Sequence, residues 1–263
     1  MIRYYQTIRR YRRIIWAMAL RQIAERNAGT LGGFAWEIIH PLSMVMIYWV
    51  VFAVGFKAKG PGDTPYILYF ITGMLPWVTF ASVFNGSTQG VVANAHLVRK
   101  TIFPTEVIPV VYLSAALIPH IILLVIVLVV MLLCHWHISW AILQIPYYFG
   151  GMSALLLGLS WISSALNVYN RDIGQLIRVL TEIWFWMTPV VWSLDLVPAR
   201  LQWLFRLNPM CFVIDGYRDS LLLGRGFWHG GWSAICFWPV TAMVLVVGAY
   251  VFRRLKPMFA DEI

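Results

Sequence analysis

A chain of 263 residues that is 60% hydrophobic and only 12% charged, with mean hydropathy +0.74, is neither disordered nor an ordinary soluble enzyme. Its net charge of +9 would suit nucleic acid, but the cations sit in loops beside apolar segments, where anionic headgroups account for them. Nucleic-acid binding is therefore set aside.

The N-terminal tail comes first. Residues 14–20 are apolar but too short for a cleavable signal, and they run into Arg21 without a small-residue cleavage site. Ile8, Tyr11, Ile15, Met18 and Gln22 recur at steps of three and four, while Arg9, Arg12, Arg13 and Arg21 lie mostly off that stripe. This pattern predicts an amphipathic helix lying in the membrane interface, with the arginines on lipid phosphates. Gly29, Gly32 and Gly33 punctuate the chain after it.

Six apolar stretches follow, at residues 36–56, 66–84, 107–133, 146–166, 176–192 and 233–252. About 20 apolar residues cross a hydrocarbon core of about 30 Å as a helix, so an all-α polytopic membrane protein of six spans is expected. It is read as a single transmembrane domain, with residues 1–33 as tail and 34–263 as the six-span body. With the N-terminus inside, fourteen Lys and Arg fall on the cytoplasmic side against six outside, which places both termini in the cytoplasm.

The segments between spans carry the information. The internal loop from Asn94 to Pro104 joins His96, Arg99 and Lys100 to the apolar Leu97, Val98, Ile102 and Phe103. A solvated linker has no use for such apolar residues, so a helix that docks a cytoplasmic partner is expected. Cys134, Cys211 and Cys236 form no CxxC pair and are expected to be small buried hydrophobes. His135 and His137 flank Trp136 at the outer end of the third span; a metal would need more ligands than Cys134 adds, so none is expected. Gly150, Ala154 and Gly158 in the fourth span are spaced for close helix packing. Arg171 and Asp172 are adjacent at the next internal boundary, where a structural ion pair is the ordinary explanation. The outer segment 193–231 holds Pro198 and Pro209 and cannot cross as one helix. Leu201, Leu204 and Phe205 suggest one short helix there, and Phe212, Tyr217 and Leu221 a second.

Tyr48, Trp49, Phe52, Trp77, Phe80, Trp184, Phe185 and Trp186 lie deeper than interfacial belts require. Sugar rings stack their CH faces on aromatic rings, so a path lined this way suits carbohydrate; ordinary packing explains any one of them equally well. There is no GxxxxGK[ST] phosphate loop and no series of intramembrane carboxylates for ion coupling. His120 beside Pro119 is one polar break, for which a helix kink suffices. A transporter built this way takes its energy from a separate subunit.

Eight segments, in chain order, resemble the membrane permeases of ABC-type polysaccharide exporters, which serve O-antigen, capsule and teichoic-acid export. They are Gly33-Phe-Ala-Trp-Glu-Ile-Ile-His-Pro41, Gly73-Met-Leu-Pro-Trp77, Asn94 to Pro104, Ser164 to Ile173, Trp186-Met-Thr-Pro189, Leu207-Asn-Pro209, Tyr217-Arg-Asp219 and Phe259-Ala-Asp261. His40 stands where asparagine is common, and Asn170 where an aromatic is common.

The resemblance implies a homodimer with two cytoplasmic ATPase subunits, in the inner membrane. It implies an interface helix at residues 4–26, a coupling helix at 94–103 and outer gate helices at 198–223. Asn94, His96, Leu97, Val98, Arg99, Lys100, Phe103, Arg171 and Asp172 then become ATPase-coupling residues, and the eight aromatics become channel lining. No cofactor is expected in this chain, since ATP and Mg belong to the partner, and no catalytic residue is expected. The implied cargo is a lipid-linked polysaccharide, first O-antigen on undecaprenyl diphosphate. Capsule, teichoic acid, a drug or a lipid are alternatives. An intramembrane acyl- or glycosyltransferase using Arg171, Asp172 or the His135/His137 pair is the competing class.

Overall fold

A computed structural model describes residues 2–26, 29–57, 60–62, 64–100 and 104–262. Of the expected coupling residues, Phe103 and the side chains of Val98, Arg99 and Lys100 lie outside what is described.

Helix α1, Ile2–Arg26, precedes α2, Trp36–Trp49, which continues through wider π-helical turns to Gly55. Then come α3 (Tyr66–Ala93), the short α4 (Ala95–Lys100), α5 (Ile108–Leu133) and α6 (Ile145–Tyr169). The chain turns into α7, Asp172–Met187, then the two short helices α8, Ala199–Arg206, and α9, Pro209–Arg218. It closes with α10, Gly231–Leu255, and α11, Phe259–Glu262. The described residues form no strand, as expected for an all-α membrane protein.

Five helical stretches are long and apolar enough to span, beginning at Gly33, Tyr66, Thr105, Trp140 and Gly231. The remaining expected span is α7, only 16 residues, about 24 Å of helix. The chain stops it at Thr188, whose backbone is extended, and Pro189 follows. The apolar run to Trp192 is therefore not one helix.

The centre of the bundle is α3, which packs against α5, α6, α7 and α9. Phe70, Phe80, Val83 and Val91 along it are inaccessible to solvent. In lipid, apolar surface gains little by leaving the solvent, so close packing and polar staples must hold the helices together. Hydroxyls supply the staples between α3 and α6: Ser87 Oγ donates to Ser160 Oγ at 2.6 Å, and Thr88 Oγ1 lies 2.7 Å from Ser163 Oγ.

The small-residue stripe of α6 lies on a different set of residues from the expected one. An ideal Cβ on Gly158 would meet Val244 backbone at 2.7 Å, and one on Gly248 would meet Gly158 O at 2.3 Å. Gly151, two turns before Gly158, lets Phe237 in, while Gly150 has nothing within 4 Å. The face toward α10 thus carries Gly151 and Gly158, seven residues and two turns apart.

Helix α1 is present where the periodicity predicts it, and its stripe is anchored on the bundle. Ile15 and Ala19 are buried on Val107, Val111 and Ala115 of the α5 region, with Ile8, Tyr11 and Met18 alongside. The apolar stripe therefore packs on protein, where the small Ala19 and Ala115 allow close approach. Ile14, Trp16 and Leu20, which blur the periodicity, are its exposed apolar residues, beside exposed Arg9, Arg12, Arg13 and Arg21.

Cys211 is buried, but Cys134 is exposed at the end of α5 and Cys236 is half-buried, so only one cysteine behaves as a core hydrophobe.

Candidate functional site

Two polar spaces occupy opposite ends of α3, whose 28 residues make a rod of about 42 Å. At its C-terminal end, α1, α4 and α5 border a cavity of about 630 Å³. Met18, Arg21, Gln22 and Glu25 of α1 form one wall, and Asn94, His96, Leu97 and Tyr112 the other. Asn94 terminates α3 by donating from Nδ2 to Gly90 O at 2.8 Å, which releases the chain into α4. Arg21 Nε donates to Glu25 Oε1 at 2.6 Å along α1. Gln22 Oε1 is buried there with no hydrogen-bond partner among the described residues, a costly state in an isolated subunit. The structure thus brings Asn94, His96 and Leu97 beside Arg21 of the N-terminal helix.

Arg171 and Asp172 stand exposed at the α6–α7 junction. Asn170 Oδ1 accepts from the Asp172 backbone N–H at 2.9 Å, and the Asp172 carboxylate favours the positive end of α7. Asn170 is thus the residue that caps this helix. The His135 and His137 pair lies beyond the opposite end of α6, a 25-residue helix of about 37 Å, so the two sets form no common active site. The described residues hold no group of three or more metal-ligating side chains.

Seven of the eight singled-out aromatics are linked through ring contacts. Tyr48 lies 6.1 Å from Phe185 and 6.3 Å from Phe52, centroid to centroid. Phe185 reaches Trp77 at 5.5 Å and Trp186 at 5.4 Å. Trp77 meets Phe80 at 5.4 Å, and Phe80 meets Trp184 at 5.1 Å. Trp49 makes no ring contact in this group. The cluster ties α2, α3 and α7 into one wall. Trp77, Phe80 and Phe185 form its buried layer; Trp186 is exposed, and Tyr48, Phe52 and Trp184 are partly so.

At the other end of α3, α8 and α9 are present as expected, but they differ in kind. Leu201 and Leu204 leave α8 largely exposed, while Phe212, Tyr217 and Leu221 are buried. Helix α9 is a wedge driven into the bundle. Asn208 caps it by accepting from Met210 N–H at 3.0 Å, and also accepts from Trp184 Nε1 at 2.8 Å and donates to Thr188 Oγ1 at 2.8 Å. One side chain thereby joins α9 to the end of α7.

Two residues of this wedge, read in the sequence only as part of a short helix and of a resemblance segment, make specific polar contacts. Arg218 is 5% exposed and donates to three backbone carbonyls: Tyr69 at 3.3 Å, Pro189 at 2.7 Å and Val190 at 2.8 Å. Burial lowers its pKa, opposed by Tyr69 and Asp215. Tyr217 reaches His120 Nε2 at 3.0 Å, and His120 Nδ1 is 2.8 Å from Thr79 Oγ1. His120 is therefore a buried bridge between α3, α5 and α9, which the kink explanation missed. The signal was present in the histidine itself, since a polar ring in a span requires partners.

The family model described as ABC-2 type transporter matches residues 13–222. Over 247 residues the chain is 30% identical to an O-antigen export system permease protein RfbA of Klebsiella pneumoniae, covering 92% of this chain and 91% of that one. It is 25% identical to an O-antigen export system permease protein RfbA of Myxococcus xanthus over the full length of both. It is 21% identical to the polysialic acid transport protein KpsM of Escherichia coli, covering 90% of this chain and 91% of that one.

Proposed function

The chain belongs to the ABC-2 type transporter family as a polysaccharide-export permease, a multi-pass transport subunit without a catalytic domain, and we propose that its cargo is O-antigen carried on a lipid diphosphate. The observation that carries this cargo is the likeness to O-antigen export permeases at 30% identity over nearly the whole chain. The likeness to the polysialic acid transporter keeps capsule polysaccharide as a second reading.

Family membership implies a separate ATPase subunit. Its docking site on this chain is read as the cleft between α1 and α4 with Asn94, His96 and Leu97, together with the segment of Val98, Arg99, Lys100 and Phe103 that follows, and with Arg171 and Asp172 at the α6–α7 junction. The partnerless Gln22 Oε1 supports this, because a docked partner can supply the missing donor. Cytoplasmic placement of this end agrees with the distribution of Lys and Arg. Arg9, Arg12 and Arg13 project from α1 onto lipid phosphates, whereas Arg21, expected with them, lines the docking cleft beside Glu25. Nucleotide and magnesium are held by the partner.

The permease works as a homodimer. Exposed Ile39, Met46 and Ile47 of α2 and Leu176, Ile183 and Trp186 of α7 form a broad apolar face for the second copy. The glycan path runs along that face, with Trp186, Tyr48, Phe52 and Trp184 nearest the sugar and Trp49 beside them. Trp77, Phe80 and Phe185 stiffen them from behind. Partner ATP binding moves α4, and rearrangement of the helices opens the path.

The experiment is deletion of the gene followed by location of the polymer. Loss of surface polysaccharide with lipid-linked polymer building up inside supports export, and the composition of that polymer names the cargo. Normal surface glycan after deletion overturns the reading. Arg99→Glu with Lys100→Glu should abolish export while the protein still reaches the membrane; wild-type export by that variant removes the docking role.

A further inference from the structure

The polar space at the N-terminal end of α3 has no part in docking or in the aromatic wall. Its cavity of about 320 Å³ lies among Tyr69 of α3, residues 189–195, α8, α9 and the turn after α9. That volume is at the small end of the ordinary range for ligand pockets, about 300–1,000 Å³.

The frame around it is fixed. Arg218 clamps Tyr69, Pro189 and Val190, as described above. Gln202 Nε2 donates to Val197 O at 3.1 Å and Leu194 O at 3.3 Å, pinning α8. Gly224, with φ +63°, ends the turn after α9, and Arg225 N–H donates to Asp219 O at 2.9 Å. Gly216 sets one wall: a Cβ there would lie 2.0 Å from the Tyr148 ring, so only glycine lets Tyr148 lie flush against α9.

Into this frame project charged groups of both signs with bonding capacity left. Asp215 is 4.0 Å from Arg218 Nη1, too long for a hydrogen bond, and its side chain is 48% exposed. Among the described residues, the side chains of Asp219, Arg206 and Arg225 make no hydrogen bond within the chain. Carboxylates only accept and guanidinium groups only donate, whereas each sugar hydroxyl both donates and accepts. A polyhydroxylated ring satisfies both sets at once. A phosphate would meet the three carboxylates of Asp195, Asp215 and Asp219. A cation would meet the guanidinium groups, and an acyl chain would strip water from all of them at high cost. Tyr148 and Phe212, both buried, close the cavity on its apolar side.

We propose that this cavity binds one sugar unit of the polymer at the exit end of the permease, holding the glycan between steps of transport. The inference rests on the export reading above, since it takes the sugar from that cargo.

The test uses the permease with its ATPase in lipid nanodiscs and, as probe, glycan released by mild acid from the envelope of the producing cell. Asp215→Asn with Asp219→Asn should weaken probe binding at least tenfold and slow export, with partner association and ATP hydrolysis unchanged. Binding and export equal to wild type overturn the proposal. If that pair fails to reach the membrane, Arg206→Gln with Arg225→Gln, both exposed, carries the same test with the same expected loss. Failure of the export reading shows separately, as normal surface glycan in the deletion strain. Probe binding by wild type that the variants lose would still sustain the sugar pocket, and unchanged binding would still overturn it.

Discussion

The guanidinium carbon of Arg218 lies 3.6 Å from the centroid of the Tyr69 ring. The contact joins two sequence segments that look unrelated. Gly73, one turn after Tyr69, leaves the space: a Cβ there would sit 2.7 Å from Arg218 Nη2. The segment around Gly73 and the Tyr217-Arg-Asp219 segment are therefore two halves of one joint. The joint fixes α9 to α3 and to the end of α7, with the ring face and three carbonyls compensating a buried charge.

Arg218→Lys should break this joint. An ammonium cannot reproduce a planar fork that serves three carbonyls in different directions while stacked on a ring. Tyr69 O keeps Thr72 Oγ1 as a donor at 3.2 Å, but leaving the Pro189 and Val190 carbonyls unsatisfied costs about 1–3 kcal/mol each. The variant should unfold at clearly lower temperature in detergent and export little glycan. Gly73→Ala should show the same direction, because it displaces the guanidinium. A Lys variant of wild-type thermal stability would mean that the carbonyl clamp contributes nothing.

The His120 bridge makes a separate claim about the interior. His120→Phe keeps the ring and its contact with Phe149, whose centroid is 4.8 Å away. It strands the Tyr217 hydroxyl and removes one of the two partners of Thr79, which keeps Leu75 O at 3.3 Å. Interhelical hydrogen bonds in membranes contribute about 0.6 kcal/mol each on average, up to about 1.7. The expected loss is therefore about 1–3 kcal/mol, seen as a lower midpoint in detergent unfolding. The triple replacement with Thr79→Val and Tyr217→Phe should recover part of it, since no hydroxyl is then left unpaired. Equal stability of the single and triple variants would deny the bridge.

How far the sequence foretold this architecture depends on the range of the interaction. Apolar runs of bilayer length placed the helices, because a span announces itself locally through composition. The α8–α9 pair was legible from Pro198 and Pro209 and the apolar residues between and beyond them. Long-range partnerships were not legible. Arg218 bonds to carbonyls 28, 29 and 149 residues away, and backbone acceptors leave no mark in a sequence. The stripe of α1 was read correctly as a face, yet periodicity cannot say whether a face meets lipid or protein. The outer pocket escaped for the same reason: Tyr69, Tyr148 and Asp215 come from three helices and converge only in the fold.

The glycine pairing between α6 and α10 makes the sharpest contrast between neighbouring positions. Gly248→Ala puts a methyl group into Gly158 O, and backbone on backbone has little room to yield. The helices must separate, and packing is the main force holding them in lipid. Gly248→Ala should prevent accumulation of folded permease in the membrane. Gly150→Ala meets nothing and should be neutral or raise stability by up to about 1 kcal/mol through helix propensity. Membrane yield and detergent unfolding of the two variants, measured together, decide this. Similar behaviour of the pair would show that α6 and α10 are not in such close contact.

Asp215 makes the stability of the outer end depend on pH. The carboxyl opens onto the cavity, but the protein around that cavity strips it of bulk water, and this desolvation pushes it from the ordinary 3.8 up to about 6, against the pull of Arg218. Asp219 and Asp195 push the same way and Arg206 opposes them. The folded state therefore binds this proton more tightly than the unfolded state. Its contribution to stability is complete below about pH 3.8 and is lost as pH rises through about 6. Between pH 5 and 7.5 the wild-type unfolding midpoint should fall relative to that of Asp215→Asn, which carries no such charge. The two midpoints should converge at the acid end of that range and separate at the neutral end, with the asparagine variant higher. Parallel profiles would mean that Asp215 titrates as an ordinary surface carboxylate. The same charge that strains the fold at neutral pH makes the carboxylate available to accept from a sugar hydroxyl, so the variant that gains stability should be the one that loses the glycan.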